Sequence, residues 1–599
     1  MTATDPGKSL AICLTLFNEP ASMLQSSLDS IVASLDALAR SDPDYRQAAI
    51  CIIADGAQDL SASALRYLEA LGLDHAWPAL EGFPGVQSER RVDGCLMAGM
   101  LRRSHPSDLT ITIQLLVKEE NTGKLDSHWW FYQRLCPLLD PDYCLQIDAG
   151  TVLETEAIGE IGAILDTHPE VAAVAGNVLI DPARNGSLLQ TFQCADFAVQ
   201  KTIRWPSEIL ASYLSVIPGQ FSGARWHSLA HEPEDGSGAA KDRYLDGQSD
   251  PDAACRMRYL SEDRIFAFEL AAGPAPDNRL AFAPRAVCRT DPCLGIAEFL
   301  HQRRRWLNGN LFCRAWMVGR IAEILADRLR RGGDKARFIP VLINLCVQGL
   351  LEWFLPFLTV LLLAVTWQSL GVLLPSGDSP PGLAFAVFAM LATLWVLPAA
   401  LAASGRLQRW PRARVETLLW LAGAGFGTAL GLNILALSGQ LGGSASLYYL
   451  AMPLALAAAA FLGAALLNPA LLHHLRRSIL AFILLAPSLW LMLSVHAFAN
   501  LKDGSWGTKG LQHGSGAGPL RGRLGGWIVS AWIITNALAV LMVLEGGHIP
   551  EALFVAGGIQ AAMIAAGVLG AALIAVRGMG CTDWSGAGRY RVFAPRRSQ

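Results

Sequence analysis

The 599-residue sequence has no Cys-x-x-Cys pair and no histidine cluster at zinc-ligand spacing; its twelve cysteines are scattered. That excludes a structural zinc module and reads instead as reduced cysteines filling a core. Excess positive charge is also missing. A formal net charge of -3 gives a nucleic-acid partner no footing. No basic stretch followed by an apolar run opens the chain, so a cleaved leader is not expected. Beyond about residue 338 charge itself becomes scarce, and long runs of Leu, Ala, Val, Phe and Trp take over. The 52% hydrophobic content therefore describes mainly the second half. A soluble unit followed by a membrane unit is the simplest organisation.

Six segments are long and apolar enough to cross a hydrocarbon layer of roughly 30 Å. They are 340–368, 383–403, 415–437, 445–467, 524–545 and 552–576. Positive clusters at 328–337, 406–414, 476–477, 502–523 and 577–597 should all face the cytoplasm. The six segments then pair into three hairpins. A seventh apolar stretch, 478–500, carries positive charge at both ends, which predicts an interfacial or re-entrant position, with Pro487 at a bend. Both termini fall on the cytoplasmic side. The expected units are a cytosolic domain over 1–310, amphipathic interface helices over 311–338 and a membrane domain over 339–576. A cytosolic loop over 501–512 interrupts the last of these, and a basic cytosolic tail over 577–599 follows.

Within the first unit, the apolar runs 9–17, 49–54, 110–117 and 143–147 read as strands, with helical patterns between them at 21–39 and 156–166. Each strand ends on a polar group: Glu19, Asp55, Lys118 or Asp148. Alternating strands and helices predict an open α/β sheet, whose ligands sit outside the carboxyl ends of the strands. Acidic residues after strands are also ordinary turn chemistry. Four in succession favour a binding rim. The Gly-, Asp- and Pro-rich stretch 231–256 reads as a surface insertion.

The segment KEENTGKLDSHWWFYQRLCPLLDPDYCLQIDAGT (118–151) resembles that of chitin synthases. So do TLFNE (15–19), ADG (54–56), IPGQFSGARW (217–226), SEDR (261–264), QRRRW continued by LNG (302–309) and SWGTKG (505–510), in the same order. Chitin synthases are processive inverting family 2 glycosyltransferases, with hyaluronan and cellulose synthases and the nodulation-type oligosaccharide synthases as relatives. The resemblance implies a nucleotide-sugar-binding glycosyltransferase A-type domain followed by an α-helical transmembrane bundle. The implied donor is UDP-N-acetylglucosamine, and the implied acceptor is a growing β-1,4-linked glycan secreted through the enzyme's own channel. A synthase of short chitin oligosaccharides, or of another β-linked polysaccharide from a different UDP-sugar, would use the same catalytic motifs.

Carried over position by position, Asp263 is the base for the acceptor hydroxyl and Glu262 its neighbour and orienter. Asp148 is the ligand of a divalent cation, Mg²⁺ or Mn²⁺, that neutralises the leaving diphosphate. The sequence reads Asp148-Ala149-Gly150 where many family 2 enzymes have Asp-x-Asp; in lacking the second aspartate it resembles chitin synthases. Thr15 and Glu19 of TLFNE, Asp55, Lys118 and Lys124 are expected on the donor, with Glu19 and Asp55 toward uridine and ribose. Guanidinium forks suit phosphate, but three consecutive helical residues cannot face one ligand. Arg303 to Arg305 should therefore divide between diphosphate and acidic partners, with Gln302 and Arg305 the preferred pair on one face. Trp306 offers a stacking surface for the acceptor sugar. Trp506, Thr508 and Lys509 should close over the nucleotide. Trp353, Trp367, Trp395, Trp420 and Trp490, and Glu352 inside the first apolar run, are candidates for lining a channel. The remaining expected partner is the lipid of a plasma (inner) membrane, and the sequence leaves room for a homo-oligomer.

Overall fold

The computed structural model describes residues 7–73, 100–104, 109–180, 186–233, 236–249, 252–273, 278–327, 332–375, 380–438, 444–504 and 524–577. Its first half is built on one nine-stranded sheet. The strands are β1 (Lys8–Leu16), β2 (Tyr45–Ala54), β3 (Met100–Ser104), β4 (Thr110–Val117), β5 (Tyr143–Asp148), β6 (Val152–Leu153), β7 (Val171–Ile180), β8 (Phe221–Arg225) and β9 (Arg279–Thr290), in the spatial order β3-β4-β2-β1-β5-β8-β7-β9-β6. β4, β2, β1 and β5 run parallel, so their carboxyl ends lie along one edge. Thr15 of β1 is in register with Asp148 of β5.

Strands buried on both faces need apolar side chains on both. β1 sends Leu10, Ile12 and Leu14 into one core and Ala11 and Cys13 into the other. Nine of the ten free cysteines among the described residues are buried, and Cys13, Cys51, Cys136 and Cys144 pack into the second core. That core does not stop at the sheet. Phe282, Trp205 and Leu214 share it with Ala460, Ala464 and Leu471 of the apolar helices Ser444–Leu467 and Pro469–Ala499. The catalytic half and the helical half are thus packed together, not strung on a linker.

Among the described residues, seven helices are long and apolar enough to cross a membrane by length and composition: Gly332–Trp353, Leu355–Leu373, Leu383–Ala403, Arg412–Ala436, Pro469–Ala499, Leu524–Glu545 and Glu551–Val576. This departs from the sequence expectation in one of the spans. The run expected as a single span over 340–368 divides at Phe354, two residues before Pro356, which has no N–H to give the preceding turn. The stretch 478–500, expected at the interface, belongs to the continuous 31-residue helix Pro469–Ala499. At 1.5 Å per residue that helix is about 46 Å long. Both of its ends meet the first half of the chain, where Asn468 donates to the Pro284 carbonyl at 2.7 Å and Asn308 to the Ala497 carbonyl at 3.2 Å, and Pro487 does not end the helix. The expected span 445–467 coincides with the 24-residue helix Ser444–Leu467. The expected boundary at 310 also falls inside one helix, Ile296–Ala326.

Candidate active site

The carboxyl edge of β1, β2, β4 and β5 gathers two clusters. In the first, Lys118 is buried between Asp55 (2.8 Å) and Asp126 (3.2 Å) and also donates to Thr122 Oγ1 (2.9 Å) and the Gly123 carbonyl (3.0 Å). Asp55 Oδ1 further accepts from the backbone N–H of Thr122 (3.0 Å) and Gly123 (3.3 Å). Lys118 therefore fixes the 119–126 loop from beneath instead of reaching out to a ligand. Glu19 Oε2 accepts from the Phe17 N–H at 2.8 Å, at the end of β1.

The second cluster carries the reactive groups. Lys124 Nζ lies 2.8 Å from Asp148 Oδ1 and 3.6 Å from Glu262 Oε1, bridging the end of β5 to the start of the helix Glu262–Ala272. Thr15 Oγ1 donates to Asp148 Oδ1 at 2.8 Å. Gly219, in the loop before β8, leaves the room Lys124 needs: a Cβ there would stand 2.6 Å from the ammonium. Burial works to lower the Lys124 pKa, but Asp148 and Glu262 outweigh it and hold the pKa above the usual lysine value. Burial, aided by Asp263 next door, raises Glu262 to about 7 against the pull of Lys124 and Arg305. Asp263 is half-buried in the first helical turn, and its carboxylate has no hydrogen bond or ion pair among the described residues.

The QRRRW segment lies on the helix Ile296–Ala326, and its arginines part company there. Arg303 pairs with Asp196 (2.8 Å) and stacks on Trp306 and Phe299. Arg304, buried, pairs with the side chain of Asp503 and donates to its carbonyl at 2.6 Å. Arg305 lies near the second cluster, where Glu262, Asp263 and Asp148 all act on it; burial lowers its pKa from a very high value. Gly309 brings this helix against the reactive turn, since a Cβ there would collide with Ser261. Gln302, at the helical spacing that shares a face with Arg305, is half-buried. Trp506, Thr508 and Lys509 lie outside the described residues.

A cavity of about 670 Å³ begins beside the site, with Arg264 and Trp306, the sequence neighbours of Asp263 and Arg305, in its lining. Asp196, Arg264, Arg303 and Trp306 line its catalytic end, and Trp395, Asn433 and Trp490 its membrane end. Of the channel candidates, Glu352 and Trp353 also line it. Trp367 and Trp420 are exposed on the outer surface instead. Sequence reasoning passed over Arg264, Asn310 and Arg314, which also line the cavity. Only the i, i+4 spacing of Asn310 and Arg314 from Trp306 could have flagged the latter two.

Fold and site together put the chain among the membrane-bound glycosyltransferases. A sequence profile for the chitin synthase-like glycosyltransferase domain matches residues 10–81 and 86–321, more than half of the chain, and the chain belongs to that family. It is 29% identical over 337 residues to chitin synthase 2 of Cryptococcus neoformans var. grubii, covering 52% of this chain and 35% of that protein. It is 24% identical over 532 residues to chitin synthase 1 of Phytophthora sojae, covering 84% of this chain and 56% of that protein. The chain thus spans from a third to just over half the length of these relatives. Among solved structures, a mannosyltransferase from Pyrobaculum calidifontis in complex with GDP-Man and Mn2+ aligns over 69% of this chain and 86% of that one. Its TM-score of 0.35 and 14% identity are too low to argue from.

Proposed function

We propose that this chain transfers N-acetylglucosamine, with inversion, from UDP-N-acetylglucosamine to the growing end of a β-1,4-linked chitin-like polymer, repeatedly, and passes the product through its own membrane cavity. The observation that carries the reading is a cavity lined at one end by Arg264 and Trp306, the sequence neighbours of Asp263 and Arg305, and at the other by residues of the apolar helices. A glycan rich in hydroxyls and amides cannot cross lipid unaided at tolerable cost, so a lined passage beginning at the site answers a physical need. The catalytic domain and both termini then sit on the cytoplasmic side of the plasma (inner) membrane, where the nucleotide sugar is.

In this reading the acceptor sugar stacks on Trp306, and its hydroxyl meets the carboxylate of Asp263, which no other described residue bonds and which takes the proton as the new glycosidic bond forms. Arg305 lies where charge develops on the departing UDP. Lys124 stands beside it, held by Asp148 and Glu262. A divalent cation, Mg²⁺ or Mn²⁺, fits Asp148, but the described residues bring no three metal-binding side chains together. That suits an ion held chiefly by diphosphate oxygens with a single carboxylate behind it. Such an ion would supply further neutralisation of the leaving group.

Labelled UDP-N-acetylglucosamine given to the purified full chain should yield a product that chitinase degrades. Chelation should abolish incorporation, and Mg²⁺ or Mn²⁺ should restore it. A product resistant to chitinase would sink the choice of polymer.

Because Glu262 gains its charge near pH 7, its ionised form, which draws Lys124 into the bridge to Asp148, prevails above that pH and fades below it. Turnover should therefore climb between about pH 6 and pH 8. Glu262→Gln should flatten that limb in a pH–rate profile; an unchanged limb would assign it to another group.

A further inference from the structure

The helix that carries QRRRW continues past the site, and one of its faces stays with the cavity. Trp306, Asn310 and Arg314, four residues apart, all line it. At 1.5 Å per residue, Arg314 is about 12 Å beyond Trp306 along the axis. Glu352 of the helix Gly332–Trp353 meets them there. Arg314 Nη1 donates to Glu352 Oε2 at 2.9 Å and Nη2 to Oε1 at 3.0 Å, a fork-to-fork pair; Asn310 Nδ2 adds a bond to Oε2 at 3.1 Å.

The two partners are not equally hidden. The Arg314 side chain is 8% exposed, the Glu352 side chain 37%. A pair made only to join two helices gains nothing from leaving its acid open to the lumen. Here the guanidinium is spent in the wall and the carboxylate is presented to the space. A carboxylate at the edge of an apolar bundle is costly unless water or a ligand meets it. Being an acceptor only, it calls for O–H or N–H donors. A lipid chain has none, and a phosphate would be repelled. A sugar chain bearing hydroxyls and acetamido N–H groups supplies both kinds. The wall between this acid and the reacting position is also polar: Arg264, next in sequence to Asp263, lines it, with Nη1 3.4 Å from the Ser215 carbonyl.

We propose that Glu352, held by Arg314 and Asn310, is a binding residue for the glycan that has already left the transfer site: a subsite two helical turns past Trp306 that retains the chain for the next addition. The proposal rests on the polymerising reading above.

The test uses the full-length protein in detergent and the paired replacement Arg314→Met with Glu352→Leu, which removes both charges together and so leaves neither buried alone. Glu352→Asp serves as the conservative variant. Two quantities are measured: the Kd for N-acetylglucosamine tetramer, and the number of sugars per chain relative to UDP released. The paired replacement should weaken the tetramer roughly tenfold, the worth of one hydrogen bond to a charged group. It should shorten the chains by a similar factor, and Glu352→Asp should recover part of both. Unchanged tetramer affinity and chain length in the folded paired variant would overturn the subsite and reduce the pair to a helix clip. If the wild type releases no UDP from the donor, the polymerising reading fails by itself, while tetramer affinity still decides whether Glu352 binds sugar.

Discussion

Asp263→Asn should lower turnover by roughly 10²- to 10⁴-fold, the usual worth of a general base, while UDP binding stays close to that of the parent chain. Asparagine keeps the size and hydrogen-bonding reach of the side chain but cannot accept the proton. The fold should tolerate the change. Asp263 is half-buried and its carboxylate makes no bond to another described residue, so none of those loses a partner. The cost is the favourable placement of a negative charge in the first turn of the helix Glu262–Ala272, typically 0.3–1 kcal/mol. Turnover followed by UDP release and binding followed by calorimetry separate the two effects. A folded variant that keeps more than a tenth of the parent rate would remove Asp263 from the role of base. Glu262 could not inherit that role cleanly, because Lys124 lies 3.6 Å from it.

How much of this was readable beforehand depends on how far apart in sequence the cooperating residues lie. The four strands and the polar residues that close them are local patterns, and the sheet places them on one edge as the alternation of strands and helices requires. Thr15 and Asp148 are 133 residues apart, yet parallel pairing of β1 with β5 sets them side by side. Burial was not readable. Lys118 and Lys124 look alike in sequence, but one is a strut under a loop and the other lies between two carboxylates of the site. The division of the arginine run followed from helical geometry, whereas its acidic partners did not. Asp196 and Asp503 come from distant segments with no motif of their own, the latter 199 residues from Arg304. Glu352 stood out only because a carboxylate is rare in an apolar run, and its guanidinium partner, 38 residues upstream, had no signal at all. In the helical half the sequence missed a break: the run 340–368 divides at Phe354, ahead of Pro356, which a count of apolar residues does not register.

The arginine run gives the second large effect. Arg305→Ala should reduce kcat/KM by about 100-fold, in line with about 1.5–3 kcal/mol for a hydrogen bond to a charged group, made here to the diphosphate by a rigid fork. Arg305→Lys should recover only part, because an ammonium restores the charge without the fork. Arg303→Ala should behave differently: its guanidinium is engaged by Asp196 and the rings of Trp306 and Phe299, so its loss should lower the melting temperature and weaken acceptor binding. A pH profile distinguishes them further. Arg305 is one of the two cations that hold the Glu262 pKa down against burial. Without it, Glu262 must keep its proton to a higher pH, so the rising limb of the rate profile should move above 7. In Arg303→Ala the limb should stay in place. If both variants shift it equally, the three arginines act as one diffuse field and the division of labour among them is wrong. If only Arg305→Ala shifts it, the same guanidinium that meets the leaving group also sets the charge of the acid beside the base.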